Sequence, residues 1–281
     1  MNTRARKRDV EPAKPTSNFA IRILSVGHVE LNPHQWSIPK SNSLYWSIYV
    51  PDTSGLEVGA GKGALQVPAD TIAVVPLGAS AARHNSAELK PFFLHFDIGD
   101  LAGLQLADRL KKITSIPSRK FQSQITGLEE AISSKDDLRL QLCAQELLTG
   151  VLADCVAASE NDSAFSSNNP DVQKILPAIN AIEECVNAPI HPILKVSEMA
   201  ALCELKPIDF SRIFFKAVRQ NPSQYALKRK IAIAVQQLLF SNKSIDEVST
   251  SMNFANRFYF SRMFKEAVGV TPAAYRAKFK A

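Results

Sequence analysis

Several features that mark enzymes, membrane proteins and secreted proteins are missing from this 281-residue sequence. No apolar run approaches the roughly 20 residues that cross a bilayer, and the basic first 18 residues lack the apolar stretch of a secretory signal. The five histidines include no H-x-H pair, so the close histidine spacing of many metal sites is absent. The sequence also lacks G-x-S-x-G, H-E-x-x-H and a glycine-rich phosphate loop. We therefore expect no membrane span, no metal, no cofactor and no catalytic residue.

Cysteine is scarce as well, and its placement suggests a reducing compartment. The four cysteines are scattered and form no C-x-x-C pair. Free thiols of this kind are typical of a cytoplasmic protein, and a redox switch is the alternative. The residues are Cys143, Cys155, Cys185 and Cys203.

What the sequence does have is an uneven distribution of charge. The net charge is +6, but residues 171–281 carry 16 Lys and Arg against 9 Asp and Glu, whereas residues 9–170 carry 13 against 18. A basic C-terminal part beside an acidic N-terminal part suggests that only the former binds a polyanion. Charge alone does not distinguish DNA from RNA or lipid.

The chain divides at a polar segment, SENDSAFSSNNPD, which we interpret as a linker over residues 159–171. Residues 1–18 form a basic tail that we expect to be disordered, with weak attraction to DNA or membrane as the alternative. Between them, residues 19–158 begin with short apolar runs of strand length, typical of an antiparallel sheet or barrel, and become helical from Leu101. Residues 172–281 show helical periods throughout, so the second domain is predicted to be all-α.

One predicted helix near the end of the first domain carries an apolar stripe. The stripe packs on its own domain in the simpler interpretation, and it forms a homodimer contact in the alternative, since the flanking Leu148 and Leu152 are also apolar. Its positions are Leu140, Ala144, Leu147, Val151 and Cys155.

The most informative feature is a repeat with an offset of 50 residues. FSRIFFKAVRQNPSQY (210–225) and FSRMFKEAVGVTPAAY (260–275) share eight identities at that single offset. Within each copy, apolar residues at i, i+3, i+4 and i+7 bury one helix face. A short helix precedes each copy, at 196–202 and at 245–251. A helix, a tight turn and a second helix with a polar, basic outer face is the helix-turn-helix arrangement, whose second helix enters the major groove of DNA.

The outer faces of the two second helices supply the candidate DNA-binding residues. The joining helix, predicted over 222–239, is about 27 Å long at about 1.5 Å per residue. Two recognition helices at its ends could therefore enter successive major grooves on one face of B-DNA. The candidates are Lys206, Ile208, Ser211, Arg212, Asn256, Arg257, Phe258, Ser261 and Arg262.

These residues resemble a known family. Residues 196–276 are similar to the double helix-turn-helix domain of the AraC-type (AraC/XylS) transcription regulators, most closely in the second copy through YFSRMFK at 259–265 and TPAAYR at 271–276. The resemblance implies binding of double-stranded promoter or operator DNA, contact with RNA polymerase and control of transcription, usually activation.

The sequence departs from the family pattern mainly in the first motif. The turn glycine of the family is replaced by Asn253 in the second motif and by Glu204 in the first, and the glycine after the helix is Arg219 in the first. If these residues are left-handed, each substitution costs on the order of 1 kcal/mol. The usual arginine of the joining helix is Lys230. We therefore expect the first motif to contribute less to base reading.

The N-terminal domain carries a shorter resemblance, to the cupin-like sensor barrel of the same family. It rests on VPADTIAVVPLGASAARH (67–84) and FFLHFD (92–97), and it implies a small-molecule effector, dimerisation or both. The alternative is that the candidate effector residues are barrel core. They are Trp46, Tyr49, His84, Phe93 and His95.

The predicted fold is α+β and multidomain: a cupin-like β-barrel with following helices, then an all-α double helix-turn-helix domain. The predicted function is sequence-specific regulation of transcription. Two alternatives are a cupin-type enzyme that carries a DNA-binding module, and a protein-interaction factor with a vestigial DNA-binding domain.

Overall fold

The N-terminal domain is built on two antiparallel sheets. The computed structural model describes residues 21–28, 44–59, 65–77, 79, 82–84, 90–159, 169–187 and 193–279. A five-stranded sheet has the order β1-β7-β2-β5-β8, and a three-stranded sheet has the order β4-β3-β6. The strands are β1 (Ile21–His28), β2 (Trp46–Val50), β3 (Leu56–Val58), β4 (Leu65–Val67), β5 (Thr71–Val75), β6 (Ala82–His84), β7 (Phe92–Ile98) and β8 (Thr114–Pro117).

The two faces of the larger sheet are both covered, which explains why its central strands are apolar on both sides. Side chains alternate between faces along a strand, so Trp46, Ile48 and Phe96 pack towards the helices of the domain. Tyr49 and Ala73 point the other way, into a second core shared with the small sheet. The described strands form two packed sheets and do not close a barrel.

Three helices cover one face of the larger sheet. They are α1 (Asp100–Arg109), α2 (Gln122–Ser134) and α3 (Asp137–Ala158), and a 3-10 turn (Ser118–Phe121) precedes α2. Helix α3 begins at a defined cap, where the Asp136 carboxylate accepts a hydrogen bond from the Arg139 backbone N–H at 3.0 Å.

The apolar stripe of α3 lies in the core of its own domain. Leu147 and Val151 are fully buried there, so the simpler interpretation of the stripe is confirmed, and these residues are not available for a dimer contact. By length and composition α3 is also apolar enough to cross a membrane. Packing of its apolar face against the sheet accounts for that composition.

The C-terminal domain consists of seven helices in the part of the chain that the structure describes. The predicted tail 1–18 and residues 160–168 of the predicted linker lie outside the described residues, and the first helix already begins at Pro170. Prolines occupy the first turn of several of these helices, where the missing N–H costs no hydrogen bond. The helices are α4 (Pro170–Asn187), α5 (Val196–Leu202), α6 (Pro207–Val218), α7 (Pro222–Phe240), α8 (Ile245–Ser251), α9 (Arg257–Val268) and α10 (Pro272–Phe279).

The repeat in the sequence is a repeat in the packing. The Phe214 ring meets Tyr225 edge to face at 5.7 Å, and the Phe264 ring meets Tyr275 in the same way at 5.6 Å. Both units bury these rings in one continuous core around α4 and α7. That core extends into the N-terminal domain, because the fully buried Leu101 of α1 belongs to it.

Candidate nucleic-acid interface

Two helix-turn-helix motifs are formed, one by α5 and α6 and one by α8 and α9. The predicted short helices at 196–202 and 245–251 have the bounds of α5 and α8. Helix α8 starts with a capping box, in which the Ser244 hydroxyl accepts from the Glu247 N–H and the Glu247 carboxylate accepts from the Ser244 N–H. The amphipathic pattern predicted both second helices correctly, and both bury three residues of one face.

The turns place non-glycine residues in left-handed backbone. Glu204 has φ 54° and Asn253 has φ 50°, and after the recognition helices Arg219 has φ 58° where the second copy has Gly269 at φ 91°. The first motif therefore carries two residues that are poorly suited to this conformation. The second turn is one residue longer, since α6 is capped two residues after Glu204 and α9 is capped three residues after Asn253.

The two recognition helices expose matching positions. Equivalent residues of the two helices are buried, half-buried or exposed alike at all twelve positions except the third, where Asp209 is half-buried and Tyr259 is exposed. The second position is the most exposed large apolar residue of each motif: Ile208 is 83% exposed and Phe258 is 85% exposed. Apolar side chains held this far out of a core are typical of a binding surface.

The arginines of this surface are each paired within the protein. Arg212 donates to the Asp209 carboxylate of its own helix at 2.9 Å, and Arg257 donates to Asp246 of α8 at 2.9 Å. Arg262 lies over the Tyr259 ring at 5.4 Å. These pairs are exposed, so each contributes little to stability and can be exchanged for a phosphate or a base.

The remaining candidates surround these arginines. Asn256 caps α9, because its Oδ1 accepts from the Tyr259 backbone N–H at 2.8 Å, which leaves its amide N–H groups to face a ligand. Lys206 is the exposed N-cap of α6, and Ser211 and Ser261 are half-buried at matching positions.

The joining helix α7 is fixed to the second motif by Lys230. Its ammonium group donates to the Asn253 carbonyl at 3.2 Å and lies 4.8 Å from the centre of the Phe254 ring. Burial lowers the pKa of Lys230 below its usual value. The Arg276 guanidinium adds a second tie, donating to the Leu238 carbonyl at 3.0 Å.

The candidate effector residues fall into separate places. Tyr49, Phe93 and His95 share one face of the large sheet, with the His95 ring 4.7 Å from Phe93 and 3.5 Å between its Nε2 and the Tyr49 hydroxyl. Trp46 lies on the opposite face, stacked on Phe96 among the helices, and this part of the predicted cluster is wrong because the strand period of two separates it from Tyr49. His84 belongs to β6 in the smaller sheet.

His95 is held neutral in this cluster. Burial lowers the pKa of its imidazole to about 3, and burial raises the pKa of the Tyr49 phenol above its usual value. The His95 ring centre lies 4.7 Å from that of Phe93 and 6.1 Å from that of Tyr49, so the three residues form one aromatic cluster.

An ion network that the sequence did not suggest lies between the domains. The Arg229 guanidinium of α7 donates to both carboxylate oxygens of Asp97, at 2.8 and 2.9 Å, and to both of Glu183, at 2.6 and 2.9 Å. All three residues are less than 10% exposed. Burial alone would raise the pKa of Asp97, but the charge of Arg229 outweighs it and holds the pKa below its usual value. Asp97 is the penultimate residue of β7, so the network joins the sheet to the joining helix.

Comparison with known proteins agrees with this geometry. Residues 199–278 match the family model described as a helix-turn-helix domain. The chain is 31% identical to the MmsAB operon regulatory protein of Pseudomonas aeruginosa over 91 residues, which cover 32% of this chain and 30% of that protein. It is 25% identical to the transcriptional activator RhaR of Pectobacterium atrosepticum over 162 residues, which cover 57% of this chain and 54% of that protein.

The chain carries an AraC-type helix-turn-helix domain. The chain spans about half or less of the length of these curated relatives. Over the whole chain, the fold resembles the crystal structure of ToxT from Vibrio cholerae, with a TM-score of 0.54, 14% identity, and 94% of this chain and 95% of that chain covered. A helical domain thus follows a sheet-rich domain, as in that fold.

Proposed function

We propose that this protein is a sequence-specific regulator of transcription that reads two adjacent segments of duplex DNA with one chain. The observation that carries the proposal is the matched exposure of α6 and α9, which present an apolar residue and an arginine at equivalent places of two recognition helices. Helix α7 has 19 residues and so separates the two units by about 28 Å at about 1.5 Å per residue. This distance is suited to major grooves one helical turn apart.

The second motif is the principal base reader in this proposal. Arg257 and the amide of Asn256 supply donors for base edges, and arginine pairs best with guanine. Phe258 and Ile208 supply apolar contact to thymine methyl groups. Arg262 and Lys206 are suited to phosphate, while Ser211 and Ser261 contribute hydroxyl groups to either.

The first motif is the weaker reader. Asp209 binds Arg212 and lies on the same surface. Its carboxylate therefore repels a DNA phosphate and competes with DNA for the guanidinium of the one arginine in this helix. The left-handed Glu204 adds a second acidic group beside the helix.

The N-terminal domain is proposed to be the regulatory part. The cluster of Tyr49, Phe93 and His95 is the candidate place for a small, uncharged effector, within two packed sheets that we interpret as an open cupin-like arrangement. A homodimer and a contact with RNA polymerase complete the proposal, with activation as the outcome and the bacterial cytoplasm as the location.

Selection of operator sites from random duplex DNA with the full chain tests the proposal. We expect enriched sites with two conserved elements whose centres lie about 10 base pairs apart, protected on one face of the duplex in a hydroxyl-radical footprint. Affinity should fall steeply as salt rises. Arg139→Ala is the matched control, because it removes an exposed arginine from the N-terminal domain and should leave the selected site unchanged. A full-length chain that enriches no sequence at low salt would favour the vestigial alternative.

A further inference from the structure

Each unit of the repeat ends in a tyrosine whose ring packs in the core but whose hydroxyl group is not needed for that packing. Tyr225 and Tyr275 occupy the same place in each unit and pack in the same way on Phe214 and Phe264. A phenylalanine would fill these places equally well, so the hydroxyl groups need another explanation. Both are directed at the boundary with the N-terminal domain.

The Tyr225 hydroxyl donates to Glu183 at 3.4 Å. Glu183 shares the Arg229 guanidinium with Asp97 of β7, so the first unit is connected to the sheet through two charged residues. An added Cβ at Gly99, next to the end of β7, would come within 2.7 Å of the Glu183 carboxylate. The absence of a side chain at this position therefore makes room for the network.

The Tyr275 hydroxyl is hydrogen-bonded to the Tyr45 hydroxyl, and Tyr45 directly precedes β2. The Tyr45 ring in turn packs on His95 with 4.7 Å between ring centres. Tyr45 thus connects the second unit to the aromatic cluster of the N-terminal domain in a single step.

Neighbouring residues give these contacts a mechanical consequence. Arg229 binds the N-terminal domain, and the next residue, Lys230, holds the turn of the second motif. Tyr275 binds the N-terminal domain, and the next residue, Arg276, holds the end of α7. A change in how the sheet docks is therefore passed to the parts that set the distance and angle between the recognition helices.

Docking does not cover the DNA-facing surface. Ile208 and Phe258 remain more than 80% exposed while the network is closed. Steric blocking of DNA is thus excluded as the role of this contact in the described conformation.

We propose that the N-terminal domain acts as a spacer brace for the DNA-binding domain, with Tyr225 and Tyr275 as positioning residues that fix the relative geometry of the two recognition helices. The inference rests on the proposed function, because it presupposes a two-element operator. The docked conformation is the one that binds DNA, since reading two grooves at once requires a fixed spacing and a preorganised surface loses less entropy on binding.

The test compares full-length variants on the selected operator and on the same operator with one base pair inserted between its elements. Tyr225→Phe, Tyr275→Phe and Asp97→Asn should each weaken binding at the original spacing by about fivefold or more, a typical size for coupling between sites. They should also lower the ratio of the affinity for the original operator to the affinity for the operator with the insertion, because recognition helices that are held less rigidly tolerate the extra base pair. A purely structural loss would weaken both operators equally and leave this ratio unchanged.

Two further variants sharpen the result. Asp154→Asn makes the same carboxylate-to-amide change in an ion pair with Lys120 inside the N-terminal domain, and it should behave as wild type. Gly99→Ala disturbs Glu183 without removing a charge, and it should behave as Asp97→Asn. Tighter binding by the tyrosine variants, or an unchanged ratio, would overturn the brace. Failure of the wild-type chain to bind any DNA would instead reject the proposed function.

Discussion

Replacing Arg257 by alanine is expected to relax the preference for particular base pairs in the second half of the operator. In the free protein the guanidinium is bound to Asp246, with both side chains at least half exposed, so breaking that pair costs at most about 1 kcal/mol. A good contact between arginine and guanine discriminates against other bases by about 1–3 kcal/mol. The contact with DNA therefore outweighs the contact within the protein, and the variant should lose on the order of 5- to 150-fold in preference at one or two positions.

The repeat supplies the comparison for this variant. Arg212→Ala should lose less discrimination, because Arg212 is bound by Asp209 on its own helix and stands in the motif with two unfavourable left-handed residues. Arg262→Ala should weaken all sequences alike and lower the salt slope by about one if this residue binds phosphate.

Fluorescence anisotropy titrations on the operator and its single-base variants, at two salt concentrations, measure all three changes. If Arg212→Ala abolishes discrimination while Arg257→Ala leaves it intact, the ranking of the two motifs is reversed and the reasoning from their turns is refuted.

Three further outcomes follow from the structure. Burial lowers the pKa of His95 to about 3, so below about pH 6.5 the unfolded chain binds a proton that the folded chain does not, and the free energy of unfolding should fall by about 1.4 kcal/mol at pH 5.5. Urea unfolding should show this loss in the wild type and not in His95→Gln. Equal pH dependence in the two proteins would contradict it. Asp209→Asn should tighten binding to random duplex DNA at low salt by removing a charge that opposes phosphate, and an unchanged dissociation constant would count against that placement. A fragment of residues 169–281 should fold and bind operator DNA more weakly than the full chain, because it lacks the bracing N-terminal domain. It should also melt at a lower temperature than the domain in the full chain because it lacks Leu101. A helical fragment indifferent to DNA at low salt would disprove the division of labour.

The helical half of the fold could be predicted almost to the residue because its signals are local. Prolines at helix starts, the capping residue Ser244 and the i, i+3, i+4, i+7 spacing of buried aromatics all lie within one turn of the feature that they specify. The duplication doubled each signal. The duplication also identified the outer faces of the two recognition helices, because these are the residues left once the buried positions of both copies are assigned to the core.

The N-terminal domain was harder, and the error at Trp46 shows why. Aromatic and histidine side chains were grouped by type, although strand parity alone separates Trp46 from Tyr49. The alternation in LYWSIYV would have revealed this. The short, locally ambiguous strands also gave no basis for distinguishing a closed barrel from the two packed sheets that the described strands form.

The interdomain network was beyond local reasoning. Asp97 and Arg229 are 132 positions apart, and neither stands in a periodic pattern that indicates a partner. One signal was available: the tyrosines at 225 and 275 are identical at the repeat offset, and a hydroxyl retained twice in a buried aromatic position suggests a hydrogen bond.

The long separation between Asp97 and Arg229 also has a consequence during synthesis of the chain. At about 5–20 residues per second, Arg229 follows Asp97 out of the ribosome by roughly 7–26 s. Throughout that interval the sheet must keep a carboxylate in water at the place where the second domain will later dock, with Arg22 as its nearest cation at 3.9 Å. In every newly synthesised chain the two domains are therefore undocked at first. The charged, hydrogen-bonded character of this boundary suits a surface that must first be soluble and only later be buried.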